Sequence, residues 1–197
     1  SYKLIPYGIS DFTQVRRENL YYSDKTMYLP KMEAAGHFLF LIRPRRFGKS
    51  LFLSMMKYYY DINEKDNFDS LFSGLWIEKN PTALMGTFQV LYLDFSQVGG
   101  DMNNLFDRFN SRTGAVLDGF ARRYEKFYYE GFAKDVESKS DFRSKLDLIT
   151  IRAREFGHHL YLIIDEYDNF TNTVLNVAGE EVYHAMTHAE GFYRDVF

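Results

Sequence analysis

The segment Phe38–Leu53 reads FLFLIRPRRFGKSLFL, and no other stretch limits the fold of this chain so narrowly. A short apolar run, Phe38 to Ile42, is too brief for a stable helix and is bounded by a turn, so it reads as a buried parallel strand. A basic turn follows and closes with Gly48-Lys49-Ser50. A second apolar run then opens a helix over Ser50–Asp61, with Leu51, Phe52, Met55 and Tyr59 roughly along one face. Strand, Gly-Lys-Ser turn and helix in this order make the layout of a phosphate-binding loop. In it, Gly48 lets the backbone approach phosphate. Backbone N–H groups from Arg45, Arg46 and Phe47 through Gly48 and Lys49 to Ser50 and Leu51 face the anion, beside the positive end of the helix dipole. The Lys49 ammonium bridges β- and γ-phosphates, and the Ser50 hydroxyl is offered to Mg²⁺.

The usual pattern begins with glycine, where this chain has Arg43, followed by Pro44. Proline fixes its own φ and biases Arg43 towards extended geometry, so the loop opens differently from the standard one. Taken alone, RPRRFGKS also reads as a basic helix cap with solvated arginines.

The complement lies far along the chain, in Tyr161-Leu162-Ile163-Ile164-Asp165-Glu166. Apolar residues followed by two acids put both carboxylates at the carboxyl end of a parallel strand, the edge where open α/β sheets bind ligands. There Asp165 serves Mg²⁺ through water and Glu166 polarises the attacking water. Asp168 either orients its neighbours or caps the next turn. Asp94 ends a further strand, Phe88–Phe95. If that strand neighbours the acidic one, Asp94 stands near the metal; otherwise it forms a turn before Ser96.

The remaining segments read as helices. Asp11 caps FTQVRREN, and Asp24 caps a segment interrupted by Pro30 and stopped at Gly36. Asn67–Asn80 forms short helical turns. Asp101 caps a long helix towards Tyr128 that Gly114 and Gly119 weaken. Ser138–Ser140 links to a helix capped by Asp141 and stopped at Gly157. Glu180–Phe197 is helical in pattern. Strands alternating with long helical segments imply a parallel α/β architecture.

Totals narrow the function classes. With a net charge of -3, there is no global attraction to nucleic acid or anionic lipid. No cysteine is present, which excludes a disulfide framework and thiolate metal sites. No apolar run approaches the ~20 residues that span a bilayer, and no secretory signal is legible, so no membrane partner is expected and the cytoplasm is the default. Tyr (16) and Phe (19) carry an aromatic excess that predicts an aromatic core. His158 and His159 precede the acidic strand and read as structural. His184 and His188, spaced i, i+4, lack a clear further ligand. Arg16 and Arg17, with Arg43, Arg45 and Arg46, either form a basic rim for nucleotide or nucleic-acid phosphate or are solvated.

The segments IPYGISDFTQVRRENLYYSDKT, FLFLIRPRRFGKSLFLSMMKYYYD, FDSLFSGLWIEKNPT and LYLIIDEYDNF resemble the bacterial predicted AAA-ATPase-like family, whose members are common in gut anaerobes. The likeness runs along most of the chain, and RPRRFGKSL is typical of that family, so Arg43 in place of glycine need not mean a dead site. It implies an α/β fold: a P-loop NTPase-like three-layer sandwich with a parallel sheet. The organisation it implies is an N-terminal family segment, 1–36, packing on a P-loop ATPase core, 37–197. It carries over Lys49 and Ser50 as phosphate and magnesium residues, Asp165 as the second-motif aspartate and Glu166 as the catalytic glutamate, with ATP and Mg²⁺ as ligands. A C-terminal nuclease-like domain of the PD-(D/E)XK type often follows in relatives. No apolar strand is legible after Asp168, so the expectation is a fragment lacking the sensor strand and later elements, its sheet incomplete at the C-terminus. Exposed sheet edges favour a homo-oligomer. The function expected is an ATP-binding, Mg²⁺-dependent nucleoside triphosphatase domain coupling hydrolysis to conformational change in a larger protein. The rivals are a non-hydrolysing nucleotide-switched module and a nucleic-acid-binding module using the cluster from Arg43 to Lys49.

Overall fold

A computed structural model describes residues 2–35, 48–95 and 105–165. The chain divides into two compact units, Ser1–Phe88 and Gln89–Phe197. The expected strand at 38–42 and the helical tail at 180–197 lie outside the described residues.

In the first unit, Asp11 caps α1 (Phe12–Arg17), accepting from the backbone N–H of Thr13 at 2.7 Å and of Gln14 at 3.4 Å. Burial pulls the Asp11 pKa upward, but the Thr13 and Gln14 hydrogen bonds together leave it below the usual value. A 3₁₀ turn, Thr26–Tyr28, leads into α2 (Leu29–Ala35). Pro30 does not kink this helix: it sits in the first turn, where its missing N–H costs nothing. Nor does Asp24 occupy the N-cap, which falls to Lys25. Instead the Asp24 carboxylate accepts from the backbone N–H groups of Thr26 and Trp76.

α3 spans Lys49–Tyr60 and is followed by a 3₁₀ turn, Ile62–Asn67, then α4 (Phe68–Phe72) and a further 3₁₀ turn, Trp76–Lys79. α1 packs on α3, and the Phe12 N–H donates to Ser54 Oγ at 3.0 Å. The core between them is aromatic, as the composition implies. Phe12 is fully buried, with Tyr22 and Phe72 rings at 5.2 and 5.0 Å. The Tyr59 ring meets Tyr60, Phe72 and Phe68 edge-on at 5.0, 5.6 and 6.1 Å, geometry that aromatic quadrupoles favour. Glu33 on α2 accepts from Tyr60 (2.9 Å) and Thr82 (2.8 Å), so α2, α3 and the loop at Thr82 share one polar knot. Arg16 is half-buried and anchored to protein. Its guanidinium donates to the carbonyls of Leu71 (2.7 Å) and Ser73, the C-terminal acceptors of α4.

The second unit holds β1 (Phe88–Asp94) from Gln89 onward, α5 (Leu105–Tyr124), α6 (Phe132–Glu137), α7 (Phe142–Glu155) and β2 (His159–Asp165). β1 and β2 pair as a two-stranded parallel sheet among the described residues. The chain is thus α/β with a parallel sheet. α5 packs on α6 and α7, and α7 on β2, around buried Leu117, Tyr124, Phe132, Val136 and Ile149. Gly114 and Gly119 are absorbed within a continuous α5 that ends at Tyr124, short of Tyr128, and a 3₁₀ turn covers Glu125–Phe127. Asp141 caps α7 through Ser144 N–H at 2.9 Å, and this bond holds its carboxyl below the usual range. Gly157, at φ 71°, stops α7, while the His158 N–H returns to Ala153 O at 2.8 Å.

β1 is buried along most of its length, so its backbone needs partners inside the unit. Tyr124 supplies one, its hydroxyl accepting from the Val90 N–H at 2.9 Å. The Tyr128 hydroxyl donates to Gln89 Oε1. Ring nitrogen Nε2 of His158 lies 2.9 Å from Phe127 O, and the imidazole packs on the Phe127 and Tyr128 rings at 5.5 and 5.4 Å. These contacts make His158 a structural residue, as expected.

Candidate functional site

The first group of candidate residues sits at the N-terminus of α3. Gly48 is the N-cap, in the left-handed region at φ 74° and ψ 23°. A residue with a Cβ is strained there, which explains glycine at this position. The Gly48 carbonyl accepts the first helical bond from Phe52 N–H at 3.0 Å. Lys49 and Ser50 fall in the first helical turn, half-buried, with Leu51 behind them. That turn contains no acidic residue to offset the positive end of the helix dipole.

Sequence reasoning missed a neighbour of this turn. The Lys25 ammonium lies 3.8 Å from the point a Cβ on Gly48 would occupy. The legible signal was the pattern Asp24-Lys25-Thr26, since an aspartate two residues before a threonine favours a fixed local turn.

The second group lies at the carboxyl edge of the sheet in the second unit. Asp165 is the last residue of β2 and is 4% exposed. Its carbonyl accepts from Phe95 N–H at 3.2 Å, and its carboxylate oxygen Oδ2 accepts from the Tyr92 hydroxyl at 3.1 Å. Burial, then the Asp165 and Asp94 carboxylates, push the Tyr92 phenol well above its ordinary pKa, so it stays a proton donor to Asp165. Asp94 ends β1 and is exposed. Because β1 neighbours β2, Asp94 and Asp165 share one sheet edge. Tyr92 is a second residue that sequence reasoning missed: alternation along β1 reveals its face but not its partner.

Gly48, Lys49, Ser50 and Leu51 therefore stand together in one unit, and Asp165 with Asp94 in the other. Arg43, Arg45, Arg46, Phe47, Glu166, Asp168, His184 and His188 lie outside the described residues. Among the described residues no cluster of three or more His, Cys, Asp or Glu forms a metal cage, and no helix is long and apolar enough to cross a membrane.

The chain is similar to known proteins in two comparisons. The chain shares 41% identity over 78 residues with an uncharacterized protein in the vnfD 5' region of Azotobacter chroococcum mcd 1. That match covers 39% of this chain and 14% of the relative, so the chain spans a small part of that protein's length. No solved structure matches. The family described as Predicted AAA-ATPase matches residues 6–197, which takes in both the Gly48 turn and the Asp165 strand end. By that match, over nearly its whole length, the chain belongs to the predicted AAA-ATPase family.

Proposed function

We propose that this chain binds ATP and hydrolyses it with Mg²⁺, as a nucleoside triphosphatase domain that drives a conformational change in a larger protein. The observation that carries the reading is the left-handed Gly48 at the head of α3, with Lys49 and Ser50 in a first turn that holds no acidic residue of its own. Such a turn offers convergent N–H donors, a helix dipole and an ammonium to one polyanion.

The donor set suits magnesium. Ser50 and Asp165 provide oxygen only, and Mg²⁺ typically takes one or two protein oxygens, with water and substrate phosphate filling the rest. When bound, the ion neutralises phosphate charge and helps orient the triphosphate. The Tyr92 hydroxyl positions Asp165 by holding one carboxylate oxygen. Lys49 stabilises charge spreading over the β- and γ-phosphates as the bond to the leaving ADP breaks. Glu166 orients the attacking water and accepts its proton while the oxygen bonds to γ-phosphorus in line.

A thermal-shift titration tests the reading. At ligand one hundred times Kd, binding stabilises the native state by about 2.7 kcal/mol, a rise of a few degrees. ATP–Mg²⁺ is expected to raise the midpoint, GTP–Mg²⁺ less so, and Lys49→Ala to remove the rise. No shift with the parent chain, or an undiminished shift with Lys49→Ala, contradicts the reading.

A further inference from the structure

We propose that Lys25 is a second phosphate-binding ammonium at the Gly48-Lys49-Ser50 turn, reaching the bound triphosphate from the Asp24-Lys25-Thr26 segment. The inference rests on the reading of that turn as a nucleotide site and adds a residue to it.

The geometry comes from both flanks of Lys25. Asp24 is pinned on one side. Its Oδ1 accepts from Thr26 N–H at 2.9 Å and Thr26 Oγ1 at 2.7 Å, and its Oδ2 accepts from Trp76 N–H at 2.7 Å. Thr26 is pinned on the other. It is fully buried, and its Oγ1 accepts from Ile77 N–H at 3.2 Å. Both anchors reach across to the same 3₁₀ turn, Trp76–Lys79. The backbone of Lys25 is thereby fixed between them, and its half-buried side chain places Nζ 3.8 Å from where a Cβ on Gly48 would stand.

Charge then says what the position is for. Among the described residues, Lys25 makes no ion pair or side-chain hydrogen bond. It stands at the positive end of the α3 dipole, next to the turn that carries Lys49, with no acid in that turn. An ammonium beside the positive end of a helix is favoured when an anion occupies the space it faces. A structural lysine would be drawn to a carboxylate or a helix C-terminus, and this one is held at the opposite pole. Glycine at position 48 has no side chain to stand between Nζ and its own backbone, so a phosphate held at that residue comes within reach of Lys25 as well as Lys49. Asp24 and Thr26 are then positioning residues for Lys25, acting through the backbone they fix.

The test measures binding by calorimetry for the parent chain, Lys25→Met, Lys25→Arg and Lys49→Ala, using ATP–Mg²⁺ and tripolyphosphate–Mg²⁺. Lys25→Met keeps the length of the stem and removes the charge. It is expected to weaken both ligands by about tenfold or more, the ordinary loss for one charge-assisted hydrogen bond. Lys25→Arg should recover part of that loss. The unliganded melting temperature of Lys25→Met should match that of the parent or exceed it, because among the described residues Lys25 makes no ion pair or side-chain hydrogen bond to lose; a residue with a structural role would lower it. Equal affinity of Lys25→Met and the parent, in a chain whose binding Lys49→Ala removes, overturns the inference and leaves the nucleotide site standing. A loss confined to ATP, with tripolyphosphate binding unchanged, also overturns it, since Lys25 would then meet base or ribose. Failure of the parent chain to bind either ligand overturns both the inference and the reading beneath it. Lys25→Gln with its circular dichroism spectrum replaces Lys25→Met should the methionine variant fail to fold.

Discussion

Glu166→Gln is expected to bind ATP–Mg²⁺ with an affinity within about threefold of the parent and to lose turnover by about 100-fold or more, the range that removal of a general base commands. The argument is one of protonation chemistry. Glutamine fills the same volume and can still point an oxygen at water, but it cannot take the proton that water must lose in forming the bond to phosphorus. On the proposed reading, binding draws on the Gly48 turn, Lys49 and the helix dipole, and the substitution leaves those residues as they are. Single-turnover hydrolysis at saturating ATP, with the Kd measured in parallel, separates the two effects. A variant that hydrolyses at the parental rate contradicts Glu166 as the base. A parent chain that binds ATP without turnover assigns the chain to the nucleotide-switch alternative.

The second large effect is structural. Phe12→Ala should destabilise the native state by about 3–5 kcal/mol, the usual range for truncating a fully buried phenylalanine. Phe12 has no exposed surface and contacts the rings of Tyr22 and Phe72 at 5.2 and 5.0 Å. Its backbone N–H also joins α1 to Ser54 on α3, the helix whose first turn carries Lys49 and Ser50. The void would therefore open against the support of the candidate phosphate turn. Urea unfolding reads the loss as a lower midpoint at unchanged m-value. A cost below about 1 kcal/mol would mean that the site collapses easily and that the aromatic cluster does not hold α1 on α3.

Much of this fold is legible in the sequence because the signals are local. β1 and β2 announce themselves as short apolar runs ending in acids, and the structure pairs them with Asp94 and Asp165 at one edge. α7 carries its own punctuation, Asp141 at the start and Gly157 at the stop, and both act as those residue types should. The less legible elements depend on distant partners. α6, Phe132–Glu137, is too short to show a helical period and is held by packing on α5 and α7. Pro30 reads as a helix breaker until the preceding 3₁₀ turn delivers it to a first helical turn, where it is tolerated. Arg16 reads as surface charge because nothing local reveals the Leu71 and Ser73 carbonyls it caps.

The candidate site divides in the same way. Gly48, Lys49 and Ser50 are a contiguous motif, so their helix-start geometry follows from spacing alone. Tyr92 belongs to no motif, and the Asp24-Lys25-Thr26 pattern marks a local turn without showing what Lys25 faces. Tyr92 contributes through a hydrogen bond to a residue on the neighbouring strand, Lys25 through two anchors on a 3₁₀ turn far along the chain. Long-range hydrogen bonds of this kind leave no periodic trace.

The central claim is that the Gly48 turn and the Asp165 strand end serve one triphosphate. A crystal structure of the chain with Mg²⁺ and a non-hydrolysable ATP analogue tests it most directly. The account predicts Lys49 Nζ at about 2.7–2.9 Å from β- and γ-phosphate oxygens, the distance of a charge-assisted hydrogen bond, with Ser50 on the metal and Asp165 joined to it through water. A triphosphate seated away from Gly48, or one bound there with Asp165 on the far side of packed hydrocarbon, would contradict it.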